Sequence, residues 1–231
     1  MTRDHRLVLV AAAGCVAAVA AADPLPSGAL ALGAILVLNY VNMANVIGSA
    51  FLRRLARLVP FAVCVFVFPP SAHSPRWWAW PACLGPVVLW QAATWRRIRI
   101  RLSLARRRVF PPVPADERAG AIALYGLSGP CQELLHRGVL PAGLVPLLGV
   151  ATVPITTLTF VAEHVLTSNP NVRRTGRDIA VWTVMSLLFG AVVYIDPAAL
   201  WCAAVAHTLF NLPNVVQWSL MTVRRPIEVS A

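Results

Sequence analysis

The chain has 231 residues, 58% of them hydrophobic and only 13% charged, with a mean hydropathy of +0.68. A soluble domain of this size needs far more polar side chains to cover its surface, so the composition excludes an ordinary water-soluble protein. The net charge of +11 comes from 20 basic residues, all arginine; in so apolar a chain these belong to cytoplasmic loops beside anionic headgroups, so the expected partner is the bilayer and not nucleic acid.

The apolar stretches are long and continuous, not alternating, which points to membrane helices and away from a β-barrel. In chain order they cover roughly 7–22, 28–51, 55–69, 77–95, 119–140, 144–166, 179–195 and 198–220. The expectation is an all-α, polytopic membrane helical bundle of about eight transmembrane helices, forming one integral-membrane domain over residues 1–231.

The first segment reads as an uncleaved span; Arg3, Arg6 and Ala20-Ala21-Ala22 before Asp23 offer a cleaved leader as the alternative. Asn39, Asn42 and Asn45 make a polar stripe on the second segment, of the kind that hydrogen-bonds between helices. The third is short and contains Pro60, but without it the arginine-rich loops would fall on opposite sides. Trp77, Trp78 and Trp80 open the fourth as an interfacial belt, and Gln91 and Gln217 read as interhelical partners. Turn residues separate the spans, among them Pro69-Pro70-Ser71, Asn169-Pro170-Asn171 and Asp196-Pro197.

Arginine sets the orientation. Alternating crossings place 18 of the 20 on one side, eight of them between Arg96 and Arg118. Arg76 lies opposite and Arg137 within a span, so both termini are expected in the cytoplasm. Abundant alanine and the absence of lysine hint at a GC-rich genome and a bacterial cell membrane. The five cysteines have no CxxC spacing and read as small buried apolar residues.

Ionisable side chains inside spans are costly, which makes them functional candidates. They gather in the C-terminal half, as Gln132-Glu133-Leu134-Leu135-His136-Arg137, Phe160-Val161-Ala162-Glu163-His164 and His207-Thr208-Leu209-Phe210-Asn211. Spacing by four puts Glu133 beside Arg137, Phe160 beside His164 and His207 beside Asn211, each pair on one helical face.

In order and context these groups resemble the CPBP family, the CAAX prenyl protease and bacteriocin-processing intramembrane proteases. Its pattern is Glu-Glu-x-x-x-Arg, Phe-x-x-x-His and His-x-x-x-Asn, each on a membrane helix, and the resemblance covers about residues 119–216. It implies eight helices and an intramembrane endopeptidase that hydrolyses a peptide or the tail of a membrane protein with an activated water. Catalytic roles would fall to Glu133, His164, His207 and Asn211. His164 would help activate the water, His207 and Asn211 would hold the oxyanion, and Arg137 would anchor Glu133.

One position departs from the pattern. Gln132 stands where the family has the glutamate assigned as general base, and an amide cannot accept a proton. Loss of a general base typically costs ~10²–10⁴-fold. Glu133, Glu163 and His136 are the groups that could stand in; otherwise the chain is a silent pseudoprotease or an immunity-type binding protein. No cofactor is expected. A zinc site of Glu133, His164 and His207 ranks second, because no His-Glu-x-x-His pair is present and Arg137 disfavours a cation beside Glu133. Depth adds a constraint: a helix starting near Ala119 carries Glu133 past the midplane, while His164 ends its span near the cytoplasmic side, so the two meet only through tilt or a deeper start.

Overall fold

The computed structural model describes residues 73–167 and 175–224. The spans read at 7–22, 28–51 and 55–69, with the leader alternative, the asparagine stripe and the turn at 169–171, lie outside the described residues. Within them the chain is all-helical, without a β-strand.

Six α-helices follow in order: α1 (Ala79–Arg106), α2 (Ala115–Glu133), α3 (Leu140–Leu148), α4 (Thr152–Thr167), α5 (Gly176–Ile195) and α6 (Leu200–Leu220). A π-helical segment, Leu134–Val139, joins α2 to α3 without a break. Among the described residues three stretches are long and apolar enough to cross a bilayer: Ala115–Val165, Gly176–Ile195 and Pro197–Leu220. The protein is therefore an integral membrane protein. The α1 helix is not among the three; it carries Trp80, Trp90 and Trp95 and a second half rich in arginine.

Two boundaries differ from the sequence expectation. The α1 helix runs 28 residues, to Arg106, so much of the basic stretch taken for a loop is helical; at ~1.5 Å per residue it reaches about 42 Å. The break expected near 141–143 lies instead at Gly149, whose φ of 52° suits a residue without a Cβ. Pro141 does not end the helix. It follows directly on the π turn, where i→i+5 bonding displaces the carbonyl that a proline ring would strike in a regular α-helix.

The chain folds back at Gly149, so α4 runs antiparallel to the π segment and α3. Thr175 starts α5 through a capping box, exchanging hydrogen bonds with Asp178. Asp196 links the next two elements: its side chain accepts from Ala198 N–H and from Arg76 N–H.

Small residues set how closely the helices approach. Ala79, Cys83 and Val87 form a buried stripe on α1, facing Ala199 just before α6 and Cys202, Ala203 and Ala206 along it, with Phe189, Val192 and Val193 of α5 closing the core. Lipid removes the hydrophobic drive between helices, so close packing of small side chains carries the association. Gly129 of α2 lets the α6 backbone pass so near that a Cβ there would lie 2.8 Å from Thr208 N. Outside the bundle, Val113 and Val223 pair in an isolated bridge, and Arg118 donates to the Met221 carbonyl. These contacts join the start of α2 to the end of α6. Gln91 and Gln217 serve between helices, the first donating to the Leu209 carbonyl and the second accepting from Arg101.

Candidate active site

The turn at Gly149 decides which polar residues meet. His136 and Glu163 lie roughly equal numbers of residues before and after it, so the hairpin brings them level. His136 Nε2 sits 2.6 Å from Glu163 Oε2. Gln132, one turn before His136, donates its amide to the other oxygen, Glu163 Oε1, at 3.0 Å. The other ring nitrogen, His136 Nδ1, is 3.1 Å from Thr159 Oγ1. The depth conflict expected between Glu133 and His164 came from placing the turn too early: a break at 141–143 sets those two at different heights, whereas Gly149 lies about midway between them in the chain.

A second cluster forms where α2 crosses α6. Glu133 is completely buried, with Oε1 2.7 Å from His207 Nδ1 and Oε2 3.2 Å from Arg137 Nε. Arg137 also donates to Ser186 Oγ on α5, and Ser186 donates in turn to Thr157 on α4. Arg137 is thus tied to three helices besides its own segment. Its fixed fork of donors suits that role better than a lysine would.

Phe160 stands between the two clusters. Its ring centroid lies 4.2 Å from that of His164, 5.4 Å from His136 and 5.7 Å from His207, and the Arg137 guanidinium sits 4.5 Å above it. The π segment, α4 and α6 therefore bring three imidazoles around one aromatic ring. His164 and His207 are 6.5 Å apart, centroid to centroid. His164 Nδ1 lies 3.0 Å from the Phe160 carbonyl, which can only accept, so Nδ1 carries a proton. Trp182 of α5 packs against the same imidazole at 5.1 Å. Asn211 lies one turn beyond His207 and donates to Ser128 Oγ at 3.2 Å.

Glu133, His164 and His207 do not form a metal cage. Among the described residues no group of three or more His, Cys, Asp or Glu side chains is arranged to hold an ion. Glu133 is instead taken up by Arg137 and His207.

Residues 115–213 match a family model described as type II CAAX prenyl endopeptidase Rce1-like. The match supports the likeness of this stretch to the CPBP family. No curated protein and no solved structure matches the chain significantly. The match runs from the start of α2 to Pro213 within α6, so it takes in the histidines around Phe160. Its family is one of membrane peptidases, which makes peptide hydrolysis the activity suggested at family level.

Sequence reasoning missed Trp182, Ser186, Thr157 and Ser128. All four are neutral side chains without a spacing motif, and each enters the site only through a partner on another helix. The run Thr156-Thr157-Leu158-Thr159, just before Phe160, was the one available signal, since hydroxyls in a membrane helix often bond across to a neighbour.

Proposed function

We propose that this protein is an intramembrane endopeptidase that hydrolyses a peptide, or the tail of a membrane protein, with a water activated between its helices. The observation that carries this reading is the gathering of His136, His164 and His207 around Phe160 from three separate helical elements. Scattered structural histidines would have no reason to share one ring.

In this reading His164 Nε2 accepts a hydrogen bond from the attacking water and orients it. His164 and His207 are 6.5 Å apart, centroid to centroid, and in this scheme the water and the peptide carbonyl would bind against both. Glu133, held against Arg137, fixes His207 through Nδ1 and balances an imidazolium there. Its Nε2–H, together with the Asn211 amide, would donate to the oxyanion as the tetrahedral intermediate forms. Such donors act on charge that appears only in the transition state. No metal is needed in this scheme.

The test is cleavage of internally quenched peptides with a C-terminal CAAX sequence, with and without a farnesyl group on the cysteine, by protein reconstituted in liposomes. Hydrolysis should fall at least ~10²-fold in His164→Ala and in His207→Ala. Unchanged turnover in both removes the assignment.

Gln132 favours a second reading: a catalytically silent relative that binds membrane segments without cutting them. It predicts no hydrolysis by the natural chain, with activity appearing only in Gln132→Glu.

A further inference from the structure

The hydrogen bonds of Gln132 speak to the missing base. Its amide nitrogen donates to Glu163 Oε1 at 3.0 Å, and His136 Nε2 lies 2.6 Å from Glu163 Oε2. Position 132 on α2 therefore faces a carboxylate supplied by α4. Glu163 and Gln132 are both buried, at 6% and 8% exposure, so water does not screen this contact. A carboxylate has about four lone-pair sites, of which these two contacts use one on each oxygen.

We infer that Glu163 is the proton acceptor of this enzyme, the carboxylate having moved across the same hydrogen bond from α2 to α4. This rests on the protease reading above. Gln132 and His136 are then positioning residues, each holding one carboxylate oxygen.

The step balances without a further reactant. Glu163 takes a proton from water as the water oxygen bonds to the peptide carbonyl carbon, and the carbonyl π electrons move onto oxygen. Collapse of that oxyanion breaks the C–N bond. The leaving nitrogen takes the proton from Glu163, which returns to the carboxylate.

The geometry also reverses the expectation for Gln132→Glu. In a chain that had merely lost its base, that change restores activity. Here it sets a second carboxylate about 3 Å from Glu163, where two negative charges cannot coexist. It should not raise turnover.

The experiment uses the full chain in liposomes with the same quenched CAAX peptides, farnesylated and unmodified. Glu163→Gln should lower kcat at least ~10²-fold while leaving KM and the melting temperature near wild type. Gln132→Glu should equal or fall below wild type. The double change Gln132→Glu/Glu163→Gln exchanges amide and carboxylate across the same bond and should recover at least tenfold over Glu163→Gln alone. If Glu163→Gln does not fold, the double variant decides on the same peptides: a tenth of wild-type turnover or more supports the assignment.

Glu163→Gln turnover within twofold of wild type overturns the inference, as does a folded double variant that is inactive. A tenfold gain in Gln132→Glu overturns it too, including the case where the natural chain is inert. If Glu163→Gln is unaffected while His164→Ala and His207→Ala are dead, the protease stands and this base falls. No hydrolysis by any form removes both.

Discussion

Gly129 couples helix packing to the candidate chemistry. A Cβ built there lies 2.8 Å from Thr208 N, 3.0 Å from Thr208 Oγ1 and 3.1 Å from His207 C. Two of these atoms are backbone and cannot rotate away. In Gly129→Ala, α6 must withdraw until the closest contact reaches an ordinary 3.4 Å, a retreat of about 0.6 Å. Four residues along α2, the Glu133–His207 bond is 2.7 Å long. A shift of that size takes it beyond the ~3.2 Å limit of a good hydrogen bond. Overpacking of this kind costs about 1–3 kcal/mol. Displacements approaching 1 Å at a reacting centre cost up to ~10²-fold in rate. Gly126 is the control: it lies one turn earlier on the same helix with nothing within 4 Å of its Cβ position. There alanine should stabilise by up to ~1 kcal/mol through helix propensity. Thermal unfolding in detergent and peptide cleavage in liposomes should separate the two, Gly129→Ala losing on both counts and Gly126→Ala on neither. Equal melting temperatures and equal turnover would refute the claim that this close approach sets the position of His207.

Two further outcomes follow from the same contacts. Arg137→Met removes the cation beside a fully buried Glu133, and an uncompensated buried charge costs about 3–5 kcal/mol; the melting temperature should fall sharply, and a variant as stable as wild type would show that Arg137 does not hold Glu133. Chelation with EDTA or 1,10-phenanthroline should leave cleavage unchanged in the proposed scheme, whereas loss of activity restored by added Zn²⁺ would reinstate metal chemistry.

What was readable in the sequence divides along helix boundaries. Contacts within one stretch were legible: four-residue spacing foretold that Glu133 meets Arg137 and that Phe160 meets His164. The membrane class followed from composition, and α5 and α6 begin and end close to the expected limits. The pairing of Glu163 with His136 was not legible, because it depends on where the chain turns back. Pro141-Ala142-Gly143 carries the residues of a helix end, yet the π turn absorbs Pro141 and the reversal waits for Gly149. A shift of several residues in that turn changes every partner across the hairpin. Composition was equally silent on α1, whose arginines read as a loop but sit on a helix that continues the apolar one.

The arrangement around Phe160 also bears on why a membrane protein would retain two buried carboxylates at all. Each is costly in lipid, and each is offset differently: Glu133 by Arg137 and His207, Glu163 by His136 and Gln132. One set includes a permanent cation and suits a carboxylate that stays charged and holds its partner in place. Around Glu163, His136 and Gln132 are groups that share or donate a proton, which suits a carboxylate that would gain and lose one. Two acids of the same chemical type can divide acid–base and electrostatic work when their surroundings differ in this way. The Phe160 ring lies between the His136 and His207 imidazoles, so it keeps the two sets distinct while leaving both against one site. A purely structural network would have no need of that division, since a buried charged set replaced as a whole by apolar side chains of similar volume often loses little stability.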